Sequence, residues 1–149
     1  MTATWAGYAG LMDSEVTRWD PVLEPLRVLR KGWPNPTWTW DERFTMLASS
    51  FPKAQEMQAR ASMSHALPYA WDMTSLPTAP AGLRVICETT GGLRAGQMLL
   101  AGKAGDIVLF GLWWPWGGGG TFTLRIGLGA HDVNEEPFPQ VRELFDVRR

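Results

Sequence analysis

One cysteine and two histidines are the side chains best suited to nucleophilic chemistry in this chain of 149 residues. A catalytic cysteine needs a thiolate, which a neighbouring histidine or a helix N-terminus usually stabilises. The spacing along the chain places neither His65 nor His131 beside Cys87. The sequence therefore favours a buried structural cysteine and predicts no catalytic residue. The alternative is a small enzyme whose sheet-lined pocket is built around Cys87 and His65, with Glu88 or His131 as further participants.

The densest group of potential metal ligands is formed by His131, Asp132, Glu135 and Glu136. One histidine with several carboxylates can hold a hard divalent ion. Their spacing matches no established site pattern, and acidic side chains also favour the N-terminus of a following helix. A single cysteine excludes a cysteine-based zinc cluster within one chain. We therefore expect no metal.

The glycines raise the possibility of a phosphate-binding loop, which the sequence does not support. Gly102-Lys103 is followed by Ala104 instead of serine or threonine, and Gln97 stands where such a loop needs its first glycine. The glycines at 117–120 run directly into Thr121 and do not follow the dinucleotide-binding pattern. We expect no cofactor.

Nine tryptophans are the most unusual feature of the composition. Rings that follow the apolar periodicity are expected in the core; these are Trp5, Trp19 and Trp71. Two clusters stand out, at 33–40 and at 113–116. Exposed rings of this kind make flat surfaces for stacking and are frequent anchors of protein interfaces.

Strand alternation places Trp113 on one face of its strand and Trp114 with Trp116 on the other. At least one of these rings is therefore expected to be exposed at a hairpin tip. Trp33 and Trp38 flank prolines in a predicted loop. The sequence predicts all five of these tryptophans as binding residues.

The elements that position these side chains are read from apolar periodicity. A stripe at helical spacing predicts helix over residues 3–31, in two pieces because Asp20-Pro21 is typical of a helix start. A second stripe predicts a helix over 40–50; its members are Trp40, Phe44, Leu47 and Phe51. Residues 53–73 favour a short helix at 53–58 and a strand from about residue 60, interrupted near Pro68.

The C-terminal half predicts a β-meander. Its strands are expected at 83–89, 96–101, 106–116 and 121–128, with the glycines at 117–120 as a hairpin loop and a terminal helix over 139–147. The third strand is apolar on both faces and is therefore expected at the centre of the sheet.

The predicted fold class is α+β, with N-terminal helices and a C-terminal helix packed on an antiparallel β-meander of four to six strands. We expect a single domain over residues 1–149. Residues 1–58 are expected to be mainly helical, 59–128 mainly strand, and 129–149 a loop with the terminal helix.

Charge and hydropathy limit the partners. The formal net charge is −1, and the charges are evenly distributed, so no basic face favours nucleic acid. The longest apolar run, at 107–116, is half of a membrane span, which needs roughly twenty residues. Neither a signal peptide nor a disulfide pair is evident, so the expected compartment is the cytoplasm.

The sequence thus predicts a non-catalytic protein-binding or assembly module. It is expected to bind a protein partner or another copy of itself through the tryptophan- and glycine-rich hairpin. An aromatic cage for a small ligand is a further alternative to the enzyme.

Overall fold

The computed structural model describes residues 15–105, 107–129 and 138–147. The helices are α1 (Glu15–Gly32), α2 (Glu56–Met63), α3 (Ala81–Thr89) and α4 (Phe138–Leu144), and two short 3-10 helices cover Lys53–Gln55 and Leu76–Thr78. The strands are β1 (Thr39–Asp41), β2 (Met46–Pro52), β3 (Tyr69–Trp71), β4 (Met98–Ala104), β5 (Ile107–Trp116) and β6 (Thr121–Gly129).

All six strands form one antiparallel sheet in the order β1-β2-β6-β5-β4-β3. Strands β4, β5 and β6 form a meander, and β2 pairs with the outer side of β6 from Leu47↔Ile126 to Pro52↔Thr121. The short strands β1 and β3 are the two edges. The predicted α+β class, with helices from both ends of the chain on an antiparallel sheet, is confirmed.

The two faces of the sheet differ in what covers them. Helices α1, α2 and α4 pack on one face, which we call the helical face, and their apolar side chains join those of β2, β5 and β6 in the main core. On the opposite face, which we call the groove face, the described helix α3 covers only part of the sheet. Alternation along β5 assigns Trp113 to the helical face, and Phe110, Leu112 and Trp114 to the groove face.

Helix α1 is continuous, so the predicted break at Asp20-Pro21 is wrong. Pro21 and Pro25 both lie inside the helix, and each interior proline costs about 3 kcal/mol. Packing offsets this cost, because one side of α1 is fully buried against the helical face; its buried residues are Val22, Leu26 and Leu29. Residues 1–14 lie outside the described part of the chain.

The prediction of a helix over residues 40–50 is wrong, since this segment forms β1, a turn and the start of β2. Asp41 holds the turn, because its Oδ1 accepts the backbone N–H groups of Arg43 and Phe44 at 3.0 and 3.4 Å. The first four residues of β2 are all buried, so the strand is covered on both faces. Apolar residues on both faces of a strand imitate helical spacing in the sequence.

The strand predicted at the position of α3 is also wrong. Leu83 and Cys87 are buried there and Ile86 packs beside them, which is the spacing of one helical side. The helix ends where the N–H of Gly92 donates to the carbonyl oxygen of Cys87 at 3.0 Å, with Gly91 at a φ of 104°. The glycine pair that resembles a strand turn is therefore a helix cap.

Helix α2 continues to Met63, so the strand predicted from about residue 60 is wrong over its first half. Only β3 realises part of that strand. Helix α2 packs closely on α1, since a Cβ at Gly32 would stand 3.0 Å from the Cβ of Ser62. The sequence of residues 56–63 fits both a helix and a strand. The contact with α1 favours the helix, and a single sequence does not reveal that contact.

The predictions for the last three strands are confirmed within a few residues, as are the hairpin loop and the terminal helix. Gly102 on β4 is required by close packing, because a Cβ there would collide with the carbonyl oxygen of Ala66. The chain that leaves α2 therefore lies directly against the helical face of the sheet.

Candidate functional site

The tip of the β5–β6 hairpin is a tight turn of glycines. Gly117, Gly118 and Gly119 all have positive φ, between 63° and 88°, a conformation that glycine adopts at little cost. The N–H of Gly119 donates to the carbonyl oxygen of Trp116 at 3.1 Å, and the N–H of Lys53 donates to that of Gly120 at 3.0 Å. The tip is thus tied to the segment that follows β2, and this fixes the position of the tryptophans beside it.

The three tryptophans of the hairpin have different surroundings. Trp113 is 0% exposed in the main core, Trp114 is half-buried, and Trp116 is 55% exposed. The ring of Trp113 contacts those of Phe51 and Phe122 at centroid distances of 5.3 Å each. Trp116 is therefore the hairpin ring with most surface open to a partner.

Trp33 and Trp38 lie in the core, at 6% and 5% exposure. Their rings contact each other at 5.2 Å, and Trp38 also contacts Phe145 at 4.7 Å. The indole N–H of Trp33 donates to Ser49 Oγ at 2.9 Å. Both rings pack the loop before β1 against the helical face. Because they are buried, they offer little surface to a partner.

A groove of about 890 Å³ runs beside Trp116 on the groove face of the sheet. Its floor is built from residues of β2, β5 and β6: Ala48, Ser50, Trp114, Trp116, Thr123 and Arg125. The strand register brings them together, since Ser50 and Trp114 are both cross-strand partners of Thr123. Asn35, Asp41 and Gln97 stand at its sides.

Two hydroxyl groups and one indole form a network on the floor. Trp116 Nε1 donates to Thr123 Oγ1 at 2.8 Å, and Ser50 Oγ lies 2.7 Å from the same oxygen. An indole N–H can only donate, whereas each hydroxyl has one proton. One proton serves the bond between the hydroxyls, and in the described part of the chain the other has no acceptor. The groove thus holds one hydrogen-bond donor that a ligand oxygen can satisfy.

Arg125 stabilises the other end of the floor. Its Nε donates to Asp41 Oδ2 at 3.1 Å, and both side chains are largely buried. Its guanidinium lies 4.7 Å from the centre of the Trp114 ring, and Phe44 meets that ring edge-on at 6.3 Å. A cation above an aromatic ring contributes about 0.5–1 kcal/mol or more. Trp114 is thus packed between Arg125 and Phe44 at this end of the groove.

Cys87 lies on the buried side of α3 and is 0% exposed. Burial raises the pKa of its thiol, and the charge of Glu88 raises it further. His65 is exposed, and its Nε2 lies 3.2 Å from Glu24 Oε1, not beside Cys87. The described residues therefore do not join Cys87 to a histidine, while His131 lies outside them.

Among the residues that the structure describes, no cluster of three or more histidine, cysteine, aspartate or glutamate side chains is positioned to hold a metal ion. The acidic group at 131–136 lies outside the described residues. No helix within the described ranges is long and apolar enough to cross a membrane.

Sequence reasoning placed Trp114 and Trp116 on one face but missed the polar floor around them. The outward positions of Thr123 and Arg125 were visible in the alternation of β6. Ser50 and Asp41 were hidden because their segment was predicted as a helix. The pairing of β2 with β6, which brings these groups together, leaves no local signal in the sequence.

Comparison of the chain with protein-family models, with curated proteins and with solved structures found no match.

Proposed function

We propose that this protein is a non-catalytic binding module, and that the groove beside Trp116 holds an extended peptide segment of a protein partner. The observation that supports this most is an indole ring 55% exposed at the end of a groove, with its Nε1 fixed by Thr123. Tryptophan is enriched among the residues that contribute most to protein interfaces.

The rigidity of the ring favours binding. A flexible surface side chain loses about 0.5–1.5 kcal/mol of conformational freedom when a partner immobilises it. The hydrogen bond to Thr123 and the tied glycine turn already restrict Trp116. Less free energy is therefore lost in ordering this ring when a partner binds.

The polar floor favours a peptide over a purely apolar ligand. The Ser50–Thr123 pair has one unused hydroxyl proton, and a backbone carbonyl oxygen is its natural acceptor. Gln97, at the side of the groove, uses its Oε1 to accept the N–H of Arg94 at 2.8 Å, which leaves its amide N–H groups to donate. An extended peptide offers a carbonyl at every residue.

The first experiment is a selection of short random peptides, displayed on phage, against the immobilised full chain. Selected peptides are then titrated against the wild type, Trp116→Ala and Ser50→Ala. We expect Trp116→Ala to weaken binding about thirtyfold, the loss typical of a dominant interface residue. Ser50→Ala removes one hydroxyl from the floor and leaves Thr123 as the remaining hydroxyl donor, so a smaller loss, of about fivefold at most, is expected.

The matched control is Val28→Ala, which removes an exposed apolar side chain from α1, on the helical side of the sheet. It should bind the peptides as the wild type does. If no peptide is enriched, or if Trp116→Ala binds the selected peptides equally well, the proposed function is wrong. Light scattering of the same proteins identifies self-association: a dimer that Trp116→Ala makes monomeric would show that the partner is a second copy.

A further inference from the structure

A second cavity lies at the other end of the groove face, between α3 and the edge of the sheet. Its volume is about 720 Å³, within the range usual for small-molecule sites. None of the described residues lines both this cavity and the groove beside Trp116. We call it the edge pocket.

The walls of the edge pocket are largely apolar. Leu83 and Ile86 of α3 form one wall, and Trp71 and Val108 of the sheet form the other. Gly82 also lines the pocket, and a Cβ there would meet no atom within 4 Å, so this position has room for a larger side chain. Water in such a space finds few polar partners, so an apolar group gains free energy by replacing it.

Lys103 supplies a charge at the rim. Among the described residues that line the edge pocket, it is the only charged one, and it forms no ion pair within the same described ranges. Tyr69, 59% exposed, is the other long polar side chain at the opening. Tyr69 pairs with Ala101 across the strands, so Lys103 is its diagonal neighbour, and the Cα atoms of Tyr69 and Lys103 are about 7–8 Å apart. One anionic group can therefore contact both side chains.

We infer that the edge pocket binds a long-chain carboxylic acid, with its hydrocarbon chain against Trp71 and Leu83 and its carboxylate on Lys103 and Tyr69. Charge complementarity decides between ligand classes, because an apolar cavity with a lysine at its mouth favours an amphipathic anion over a cation of the same length. The orientation follows from the same arrangement, since the carboxylate stays at the solvent-exposed rim.

The test uses the full chain and three probes with the same twelve-carbon chain: dodecanoate, dodecanol and dodecyltrimethylammonium, each below its micelle concentration. Isothermal titration measures binding, and the indole signal of Trp71 in a nitrogen–proton spectrum reports the location. We expect dodecanoate to bind most tightly and dodecyltrimethylammonium most weakly, with a shift of the Trp71 signal.

Two variants test the cavity and the charge separately. Gly82→Leu places a bulky side chain in the lining of the pocket, so it should reduce dodecanoate binding at least tenfold. Leucine also favours a helix more than glycine does, so the variant should fold normally. Lys103→Met keeps the apolar stem but removes the charge. It should weaken the binding of dodecanoate about fivefold, the effect expected from losing an exposed ion pair, and leave the binding of dodecanol unchanged. Arg84→Gln, a charge change on α3 outside the pocket lining, is the control and should have no effect.

Circular dichroism confirms that each variant is folded. The inference is overturned if dodecanoate does not bind the wild type, or if it binds Gly82→Leu as tightly as the wild type. It is also overturned if Lys103→Met weakens the binding of dodecanol and of dodecanoate equally. A dimer in light scattering that Gly82→Leu disrupts, without any dodecanoate binding, would assign the pocket to a second copy and would also overturn it. None of these results depends on Trp116, so they are independent of the peptide selection.

Discussion

Trp113 and Trp116 belong to the same strand, yet one is 0% and the other 55% exposed. Trp113 faces three helices and contacts Phe51 and Phe122 in the core. Trp116 lies at the tip of the hairpin, on the face where α3 covers only part of the sheet. The residue type is the same, but the layer opposite each ring decides whether it stabilises the fold or is available to a partner. The helical face is therefore covered around Trp113, whereas the groove face carries a smaller buried cluster and is open beside Trp116.

The largest difference between the two faces is expected for alanine at these two tryptophans. Trp113→Ala should lower the free energy of unfolding by about 3–5 kcal/mol, because it leaves a cavity in the main core. Trp116→Ala should lower it by about 1 kcal/mol or less, since most of its ring is already in water. Urea denaturation of both variants measures this. Equal losses would mean that Trp116 is also a core residue.

A second comparison uses two glycines of the groove face that have different surroundings. A Cβ at Gly127 would collide with the ring of Phe110, whereas at Gly82 it meets open space. Gly127→Ala should therefore destabilise by about 1–3 kcal/mol, and Gly82→Ala should be neutral or stabilise by up to about 1 kcal/mol. Thermal unfolding distinguishes these results. A Gly127→Ala protein as stable as the wild type would contradict the packing of Phe110 on β6.

A third comparison of the two faces uses two adjacent serines of β2, Ser49 and Ser50. Alanine at either position removes only a hydroxyl group. Ser49 Oγ accepts the indole N–H of Trp33 and donates to the carbonyl oxygen of Thr37, both at 2.9 Å. Ser49→Ala leaves the buried indole N–H of Trp33 unpaired and should cost about 1–3 kcal/mol. Ser50→Ala, on the groove face, loses one part-buried hydrogen bond to Thr123 and should cost less, about 0.5–1 kcal/mol. The reverse order in urea denaturation would mean that the faces of β2 are wrongly assigned.

The smallest effect on stability concerns Cys87. Because burial raises the pKa of its thiol, the folded protein keeps it protonated where an exposed cysteine already ionises. Its reaction with iodoacetamide at neutral pH should be far slower in the folded than in the urea-unfolded chain. Folding stability should decline as pH rises above the ordinary thiol pKa, since only the folded state resists ionisation. Cys87→Ser should not show this alkylation; equally fast alkylation of the folded wild type would contradict its burial.

Local patterns in the sequence were sufficient for the strands that have them. Strand β6 alternates cleanly, β5 is a continuous apolar run, and four glycines separate them, so this hairpin was predictable. The covered faces of β5 followed from its two-sided apolarity, and the exposed tip from the position of Trp116 at its end.

Segments with two competing patterns were not predictable. Strand β2 resembles a helix because both of its faces are buried, and α3 resembles a strand because β-branched residues precede Cys87. In both cases tertiary packing, which no local pattern records, decides the conformation. The groove floor depends on the pairing of β2 with β6, so Ser50 and Asp41 could not be assigned to it beforehand. Lys103 and Trp71 line one cavity because β3 pairs with β4, which is also a long-range contact.

The most direct test of the division between the two faces is a nitrogen–proton spectrum of the nine indole groups during titration with a selected peptide. We predict that the signals of Trp114 and Trp116 shift progressively, while those of Trp33, Trp38 and Trp113 stay in place. Shifts confined to the three core tryptophans, with Trp116 unaffected, would contradict the account, because binding would then involve the helical face.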